Sequence, residues 1–303
     1  MMAAQQTRPL RGTLLRNEPM ARHTTWRVGG AAERYYQPAD IADLALFLQQ
    51  LPADEPLYWI GLGSNLLVRD GGIRGTVIAT SGLLDGIERL DAERVWVESG
   101  VACAKVARFC AREGLAGAEF LSGIPGTMGG ALAMNAGCFG GETWRLVEAV
   151  ETLDRQGRLQ LREAGQYQVG YRHVSGPAGE WFVAARLRLE AGDATALQAR
   201  NRELLERRSA SQPTRLPNAG SVFRNPEGDH AARLIDSAGL KGRCIGGACV
   251  SEKHANFIVN TGAASAAQIE ALLELVQQEV ERVHGVRLQP EVKIIGERGE
   301  VGA

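Results

Sequence analysis

The chain has 303 residues, of which 45% are hydrophobic and 23% are charged, and its formal net charge at pH 7 is −1. This composition is ordinary for a globular protein and excludes disorder, collagen or a coiled coil as a description of the whole chain. The balanced charge provides no strongly basic face, so nucleic acid is not an expected partner. Because no run approaches the ~18 apolar residues of a membrane span, no membrane insertion is expected either.

Residues 1–22 lack the apolar core of a secretory signal, and they are predicted to form a leader segment that lies over the fold. The odd number of cysteines, without a C-x-x-C pair, disfavours a disulfide framework and a zinc site. The sequence therefore predicts reduced thiols, no metal and a cytoplasmic location. The five cysteines are Cys103, Cys110, Cys138, Cys244 and Cys249.

The first third of the chain mixes helices with strands, without a regular alternation between them. Asp40 is predicted to cap a helix that continues through Leu48, because an Asp side chain accepts hydrogen bonds from the first helical N–H groups. Short apolar runs predict strands, and an apolar stripe followed by Gly114 predicts a second helix. The predicted strands cover residues 57–61, 76–80 and 95–99, and the second helix covers residues 102–113.

Strand patterns dominate residues 145–190, and the alternation at residues 181–190 predicts a half-exposed antiparallel sheet. A polar helix is predicted at residues 195–208. The proline-containing loop after it, residues 211–218, is the predicted place of the main domain boundary.

The clearest predicted helix covers residues 265–284. Ser265 and Gln268 match a capping box, and Gly285 ends the helix. A strand interrupted by Pro290 is predicted after it. One apolar stripe is expected to face the core; it consists of Ile269, Leu272, Leu273, Val276, Val280 and Val283.

Glycine is unusually frequent, at 37 of 303 residues, and two glycine-rich loops stand out at residues 61–68 and 123–137. Neither loop matches a Walker A motif or the dinucleotide-binding motif of a Rossmann fold. Successive glycines expose backbone N–H groups that can bind a pyrophosphate. For one loop alone, a tight turn without a ligand is an equally good interpretation. The side-chain donors in these loops are Ser64, Asn65, Thr127 and Asn135.

Seven motifs follow one another along most of the chain. They are TTWRVGG (24–30), GLGSNLLVRDGG (61–72), GIPGTMGGALAMNAG (123–137), GYR (170–172), NAGSVFRNP (218–226), GGACVSEKHANFIVN (246–260) and QPEVKIIG (289–296). In this order they closely resemble the UDP-N-acetylenolpyruvoylglucosamine reductase (MurB) family of peptidoglycan synthesis. Each motif alone is only suggestive, whereas seven in order over about residues 20–297 are a specific signal.

The resemblance implies an α+β fold, in which a two-subdomain FAD-binding fold of the vanillyl-alcohol-oxidase type precedes a MurB-type substrate-binding domain. After the leader at residues 1–22, the FAD-binding domain is predicted at residues 23–205 and the C-terminal substrate-binding domain at residues 206–303. The two FAD-binding subdomains are expected at about residues 23–84 and 85–205.

The resemblance also implies a non-covalent FAD, NADPH as the co-substrate and a nucleotide-sugar substrate whose enolpyruvyl group accepts a hydride, giving UDP-N-acetylmuramate. A monomer is compatible with this interpretation. The residues that match the cofactor-binding motifs are Arg27, Gly61, Gly63, Ser64, Asn65, Leu66, Gly123, Ile124, Pro125, Gly126, Thr127, Gly130, Asn135, Ala136 and Gly137.

Three positions match the catalytic residues of the family. Ser221 corresponds to the proton donor, and Arg172 and Glu291 correspond to the pair that stabilises the charged intermediate. Hydride addition builds charge on the substrate carboxylate, which the planar guanidinium of Arg172 can bind. Glu291 can help only as a protonated hydrogen-bond donor, which requires burial. Without the motifs, a turn serine, a surface arginine and a solvated glutamate would be the ordinary interpretations.

Four further residues are expected to contact the substrate: Tyr171, Asn225, Lys253 and Asn256. His254 is expected to be a packing or hydrogen-bonding histidine rather than an acid or base. Two positions depart from the family: Val174 replaces a serine and Gln289 replaces a glutamate. The short segment at residues 175–180 indicates the shorter subtype, which lacks a tyrosine-bearing loop insertion.

The sequence leaves two alternatives open. One is another FAD-dependent oxidoreductase of the same fold, such as a sugar or alcohol oxidase, which would not depend on NADPH. The other is a non-catalytic sensor of flavin or nucleotide sugar, which would have no use for the residues Arg172, Ser221 and Glu291. A fold likeness alone does not choose among these functions.

Overall fold

A computed structural model describes residues 9–299, so the first eight residues of the predicted leader lie outside the described part. The helices within it are α1 (Ile41–Gln50), α2 (Cys103–Arg112), α3 (Met128–Met134), α4 (Ala194–Ser211), α5 (Ala231–Ser237) and α6 (Ala266–His284). None of these helices is long and apolar enough to cross a membrane. The helices predicted from capping and periodicity are confirmed, with ends that differ by at most three residues.

Short strands make up most of the remaining regular structure. In the first half of the described chain they are β1 (Thr13–Pro19), β2 (Ala31–Gln37), β3 (Leu57–Ile60), β4 (Leu66–Val68), β5 (Ile73–Ala79), β6 (Ile87–Arg89), β7 (Arg94–Glu98), β8 (Leu115–Ala116), β9 (Gly137–Cys138) and β10 (Gly141–Glu142). In the second half they are β11 (Val147–Asp154), β12 (Leu159–Glu163), β13 (Gln168–Gly170), β14 (His173–Ser175), β15 (Glu180–Arg188), β16 (Glu190–Ala191), β17 (Cys244–Ile245), β18 (Ala248–Val250), β19 (Ile258–Asn260) and β20 (Lys293–Ile295).

The first sheet has the strand order β1-β2-β5-β3, in which β2 and β3 both run parallel to β5. Helix α1 connects β2 to β3, and Asp40 caps it by accepting from the Asp43 N–H, as predicted. Strand β1 pairs antiparallel with β2 from Thr13 to Pro19. The interpretation of residues 1–22 as a leader over the fold is therefore wrong for β1, because this segment completes a sheet.

The second sheet is antiparallel throughout, with the order β12-β11-β15-β7-β6. One of its faces packs against α2 and α3. Val183 and Leu153 on the other face pack against Leu44 and Phe47 of α1. The expectation of a half-exposed sheet is therefore wrong for the centre of β15, because the first subdomain covers its second face.

The C-terminal part places α5 and α6 against the small antiparallel sheet β17-β18-β19. Helix α6 has the predicted capping box of Ser265 and Gln268, and Gly285 ends it at φ 68°. The predicted apolar stripe is buried except for Val283, which is 44% exposed. Pro290 forms an isolated antiparallel bridge with Phe223, so the predicted strand shortens to β20.

Contacts distant in sequence fix the C-terminal part to the rest of the protein. Strand β20 runs parallel to β4. The Asp70 carboxylate accepts from the N–H groups of Ala266 and Ala267 at the start of α6, and Arg69 forms two hydrogen bonds with Glu270. The boundary predicted between residues 205 and 206 lies inside α4, which continues to Ser211 because the first proline follows only at residue 213.

The state of the cysteines differs from the prediction. Cys244 and Cys249 form a disulfide, whereas reduced thiols were predicted. The two residues face each other across the β17–β18 hairpin with their Cα atoms 4.1 Å apart. A count of cysteines does not reveal this register. Within the described residues Cys103, Cys110 and Cys138 remain free.

Candidate active site

The two glycine-rich loops pack directly against each other. The first follows β3, and the second leads into α3. A Cβ atom added to Gly61 would lie 2.2 Å from Oγ1 of Thr127, and one added to Gly126 would lie 3.3 Å from Oγ of Ser64. Glycine at position 61 therefore allows a close approach of the two loops that a side chain would prevent.

A cavity of about 570 Å³ opens beside these loops, and a second cavity of about 290 Å³ shares Gly61 with it. Three buried polar atoms next to these cavities have no hydrogen-bond partner in the described chain: Oγ1 of Thr127, Oγ of Ser99 and Nε1 of Trp59. Buried polar atoms are normally satisfied, so unpaired ones beside a cavity are available to a bound group. Such unpaired donors around a glycine cradle fit the pyrophosphate and polar edges of a dinucleotide such as FAD.

The predicted cofactor residues divide into three groups by position. Those that line the cavities are Arg27, Gly61, Ser64, Pro125 and Gly130. Those that shape the loops and their supports without lining a cavity are Gly63, Leu66, Gly123, Ile124, Gly126, Thr127 and Ala136. The third group lies against the predicted catalytic residues instead and consists of Asn65, Asn135 and Gly137.

The structure brings Arg172 and Glu291 together. Strands β13 and β14 form a hairpin whose two-residue turn is Tyr171 and Arg172, and Arg172 has the left-handed φ of 52°. This φ is uncommon for a residue with a Cβ atom. From this turn Nε of Arg172 donates to Oε1 of Glu291 at 2.9 Å, and Nη2 donates to the Gly137 carbonyl at 2.8 Å.

Burial dominates the electrostatics of Glu291. Its side chain is 10% exposed. Desolvation raises the pKa of its carboxyl above the ordinary value, although the positive charges of Arg172 and Arg224 act in the opposite direction. A carboxyl with a raised pKa keeps its proton to higher pH and can then donate a hydrogen bond. The role predicted for Glu291, hydrogen-bond donation to the substrate, requires this protonated form.

Ser221 lies on a segment that pairs with the one carrying Glu291. The Glu291 N–H donates to the Val222 carbonyl at 2.8 Å, and the Arg224 N–H donates to the Gln289 carbonyl at 2.9 Å. Ser221 is half-buried and precedes Val222 directly. The three predicted catalytic residues, which come from distant parts of the sequence, therefore meet in one region of the fold.

Asn256 is buried, and its side chain is fully engaged with one neighbour. Its Oδ1 accepts from the Phe223 N–H at 3.0 Å, and its Nδ2 donates to the Phe223 carbonyl at 2.8 Å. This geometry disfavours the substrate contact predicted for Asn256, because both polar atoms of the amide are occupied. The amide instead holds the segment that carries Ser221.

Asn135 and Asn65 also form contacts that differ from the predicted ones. Asn135 is 1% exposed; its Oδ1 accepts from the Trp144 N–H, and its Nδ2 donates to the Gly170 carbonyl beside the Arg172 turn. The Nδ2 of Asn65 donates to the backbone carbonyl of Glu291 at 3.2 Å. Both amides thus contact the predicted catalytic pair Arg172 and Glu291 or the backbone beside it, and neither is placed as a free donor to a cofactor.

The other predicted substrate contacts lie at two separate places. Tyr171 and Asn225 line a shallow cavity of about 550 Å³, and the Tyr171 ring lies 5.1 Å from the guanidinium of Arg172. Lys253 lies instead near the end of α4, where its Nζ donates to the Ser209 carbonyl. The structure therefore groups Tyr171 and Asn225 with Arg172, whereas Lys253 lines another cavity, of about 710 Å³.

His254 has the environment of a packing residue. Its ring packs edge-on against Phe257, and its Nδ1 accepts from the Asn256 N–H at 3.3 Å. Burial lowers the pKa of the imidazole, which favours the neutral ring. The role expected for this histidine, packing and hydrogen bonding, agrees with these contacts.

Comparison with known proteins assigns the chain to a family. A family model described as "UDP-N-acetylenolpyruvoylglucosamine reductase, C-terminal domain" matches residues 212–295, and one described as "FAD binding domain" matches residues 32–161. The UDP-N-acetylenolpyruvoylglucosamine reductase of Alkalilimnicola ehrlichii is 64% identical over 98% of this chain and 99% of its own length. That of Methylococcus capsulatus is 60% identical over 97% of both chains.

A solved structure agrees with these sequence matches. The crystal structure of UDP-N-acetylenolpyruvylglucosamine reductase (MurB) from Thermus caldophilus superposes with a TM-score of 0.81 at 34% identity, covering 94% of this chain and 99% of that one. The chain belongs to the UDP-N-acetylenolpyruvoylglucosamine reductase family. It is therefore an oxidoreductase with FAD as its cofactor. The predicted fold class, an FAD-binding fold followed by a MurB-type C-terminal domain, is confirmed.

Several residues of this MurB-type site were missed by the sequence reasoning. Trp59 and Ser99 lie in stretches that the sequence predicts as ordinary strands, and only the fold reveals their unpaired polar atoms beside the cavities. Arg208, in α4, is half-buried at the cavity of about 570 Å³, and burial lowers the pKa of its guanidinium. Arg224 stands inside a recognised motif, but its contact with Arg172 is visible only in the structure.

Val174, one of the two positions that depart from the family, has an apolar environment. Val174 packs at the edge of the core of the second sheet and lines the smaller cavity. The side chain there is held by contacts with other apolar groups. A hydroxyl at position 174 is accordingly not part of the polar network around Arg172 in this protein.

Proposed function

We propose that the chain reduces the enolpyruvyl group of UDP-N-acetylenolpyruvoylglucosamine to UDP-N-acetylmuramate, a step of peptidoglycan synthesis, with NADPH as the source of electrons. The observation that carries this proposal is the buried Arg172–Glu291 pair beside the Ser221 segment. The nucleotide sugar and NADPH are its small-molecule partners, and the cytoplasm is the proposed location.

The cavities beside the glycine-rich loops are the proposed binding site for FAD. Ser64, Thr127 and Ser99 would donate hydrogen bonds to it, and Gly61 and Gly130 would leave room for its close approach. When bound and reduced by NADPH, FAD would supply the hydride equivalent that the β-carbon of the enolpyruvyl group accepts.

Arg172 and Glu291 would act on the carboxylate of the substrate. Hydride addition moves electron density onto the carboxylate oxygens, where the charge of Arg172 stabilises it. Glu291 would donate a hydrogen bond to the same group when its carboxyl is protonated, and burial favours this form because it raises the pKa of the carboxyl. Both interactions strengthen as charge develops, so they favour the transition state over the ground state.

Ser221 would complete the addition by giving its hydroxyl proton to the α-carbon. The product then gains one hydride and one proton, and the proton lost by Ser221 is replaced from solvent. A hydroxyl is a weak acid in water, so a fixed position next to the reacting carbon is required. The pairing of residues 222–224 with residues 289–291 supports such a fixed position.

Two stages of absorption spectroscopy test this function. Anaerobic NADPH should bleach the yellow protein, and subsequent UDP-N-acetylenolpyruvoylglucosamine should restore the colour with formation of one equivalent of product. A flavoprotein that NADPH does not bleach would instead indicate an oxidase or a sensor. Bleaching without reoxidation by the nucleotide sugar would contradict the proposed substrate.

A further inference from the structure

A second arginine, Arg224, connects the hairpin turn that carries Arg172 to the segment that carries Glu291. Nη2 of Arg224 donates to the carbonyl oxygen of Arg172 at 3.1 Å. The backbone N–H of the same residue donates to the Gln289 carbonyl at 2.9 Å, two residues before Glu291. Arg224 therefore fixes the position of the Arg172 turn relative to the segment of Glu291.

The turn that Arg224 holds is an unfavourable one. Tyr171 and Arg172 are the two central residues between β13 and β14, and only Arg172 of the two has a positive φ, of 52°. This position in a two-residue turn favours glycine or asparagine. A residue with a Cβ atom stays in such a conformation only when its surroundings enforce it. The hydrogen bond from Arg224 to the Arg172 carbonyl is one of the contacts that can do so.

Arg224 also contributes charge. Arg172, from the β13–β14 hairpin, and Arg224, from the segment after Ser221, are the charged groups that act on Glu291. The Nε of Arg224 is buried and has no hydrogen-bond partner among residues 9–299. With Glu291 ionised the three side chains carry a net charge of +1, and with Glu291 protonated they carry +2, so in both states the group attracts an anion.

We propose that Arg224 is a positioning residue, which holds Arg172 in its left-handed turn and supplies the second positive charge beside Glu291. This inference rests on the proposed roles of Arg172 and Glu291 in the reduction. This role explains why Arg224, in the Ser221 motif, reaches the backbone of the distant β13–β14 hairpin. Arg224 acts through Arg172, so it is not itself a catalytic residue.

The test compares Arg224→Met with Arg224→Lys. Arg224→Met should lower kcat for reduction of the nucleotide sugar at least tenfold, while the FAD content and the rate of FAD reduction by NADPH stay within twofold of the wild type. The charge of Arg224 favours the ionised form of Glu291, so its loss should raise the pKa of Glu291. The basic limb of the pH–kcat profile should therefore shift to higher pH by about half a pH unit. Arg224→Lys should keep the limb in place and recover part of kcat.

Arg282→Met serves as the matched control, because Arg282 is an exposed arginine of α6 outside the site. An unchanged kcat in Arg224→Met would overturn the proposal, as would an equal shift of the pH limb in Arg224→Met and Arg224→Lys. Parallel loss of FAD content and both half-reactions would also overturn it, since it would indicate a general structural role. If the wild type itself fails to reduce the nucleotide sugar, the proposed function fails instead.

Discussion

Nε of Arg172 lies 2.9 Å from Oε1 of Glu291, although 119 positions separate the two residues in the chain. The fork of the same guanidinium also donates to the carbonyl of Gly137. A guanidinium held at several points cannot rotate away when a substrate arrives. Charge stabilisation that is fixed in advance is the most effective kind, because no reorganisation is needed at the moment of reaction.

The protonation state of Glu291 leads to the first prediction. Glu291→Gln keeps a hydrogen-bond donor, whereas Glu291→Ala removes it, so kcat should fall further in the alanine variant, by about 10²–10³ relative to the wild type. Wild-type activity should decrease as pH rises through the raised pKa of Glu291, because the donor is lost on ionisation. Glu291→Gln should lack this decrease, since an amide does not titrate.

Steady-state pH profiles of the three proteins measure this difference, and Glu279→Gln on the exposed face of α6 is the control. Equal activities of Glu291→Gln and Glu291→Ala would remove the donor role. A wild-type decrease that persists unchanged in Glu291→Gln would assign the titration to another group.

Ser221 carries the second prediction. Ser221→Ala should leave reduction of bound FAD by NADPH unchanged and slow the subsequent reaction with the nucleotide sugar by about 10²–10⁴, the usual contribution of a general acid. Stopped-flow absorbance measures both half-reactions separately. Ser237→Ala is a suitable control, because Ser237 donates within α5, outside the proposed site. An equal loss in the two half-reactions would contradict a role in proton donation.

Local signals in the sequence predicted the helices well. The cap at Asp40 and the capping box of Ser265 and Gln268 depend on residues three positions apart, so their spacing can be read directly. The covered face of β15 and the cross-strand pair Cys244–Cys249 depend on packing and register. The first depends on packing between distant elements and the second on the register of a hairpin, so neither follows from alternation or from a count of cysteines, and both predictions were wrong.

In the candidate site, too, the sequence predicted the position of residues better than their contacts. The motif resemblance selected Arg172 and Glu291, which the structure places in contact. It assigned Asn135 to the cofactor and Asn256 to the substrate, because motifs mark a position without stating which atom it contacts. Their side chains bond to neighbouring backbone groups, which only the folded chain reveals. The support that Arg224 gives to the Arg172 turn was missed for the same reason.

The approach of the two glycine-rich loops gives the third prediction. In Gly61→Ala the added Cβ would lie 2.2 Å from Oγ1 of Thr127, and rotation of the threonine gives no relief because its Cβ and Cγ2 are both at 3.2 Å. The loops must separate, at a cost of about 1–3 kcal/mol. We expect FAD affinity to fall by about tenfold or more, measured by flavin fluorescence during dialysis.

Gly165→Ala is the control for this substitution, since an added Cβ there would meet no atom within 4 Å. Its FAD affinity should equal that of the wild type. Full FAD retention in Gly61→Ala would show that the close contact of the loops is not needed for the cofactor site.

The thiols provide the last prediction. Burial raises the pKa of Cys103 and Cys110 to about 12 and that of Cys138 to about 11. The reactive thiolate is therefore scarce at pH 8, and iodoacetamide should label the native protein slowly. After denaturation without a reductant, mass spectrometry should count three alkylated cysteines, because Cys244 and Cys249 are joined. Reduction before labelling should raise the count to five, and Cys244→Ser should give four without a reductant. Five labels on the unreduced wild type would mean that the hairpin carries two thiols rather than a disulfide.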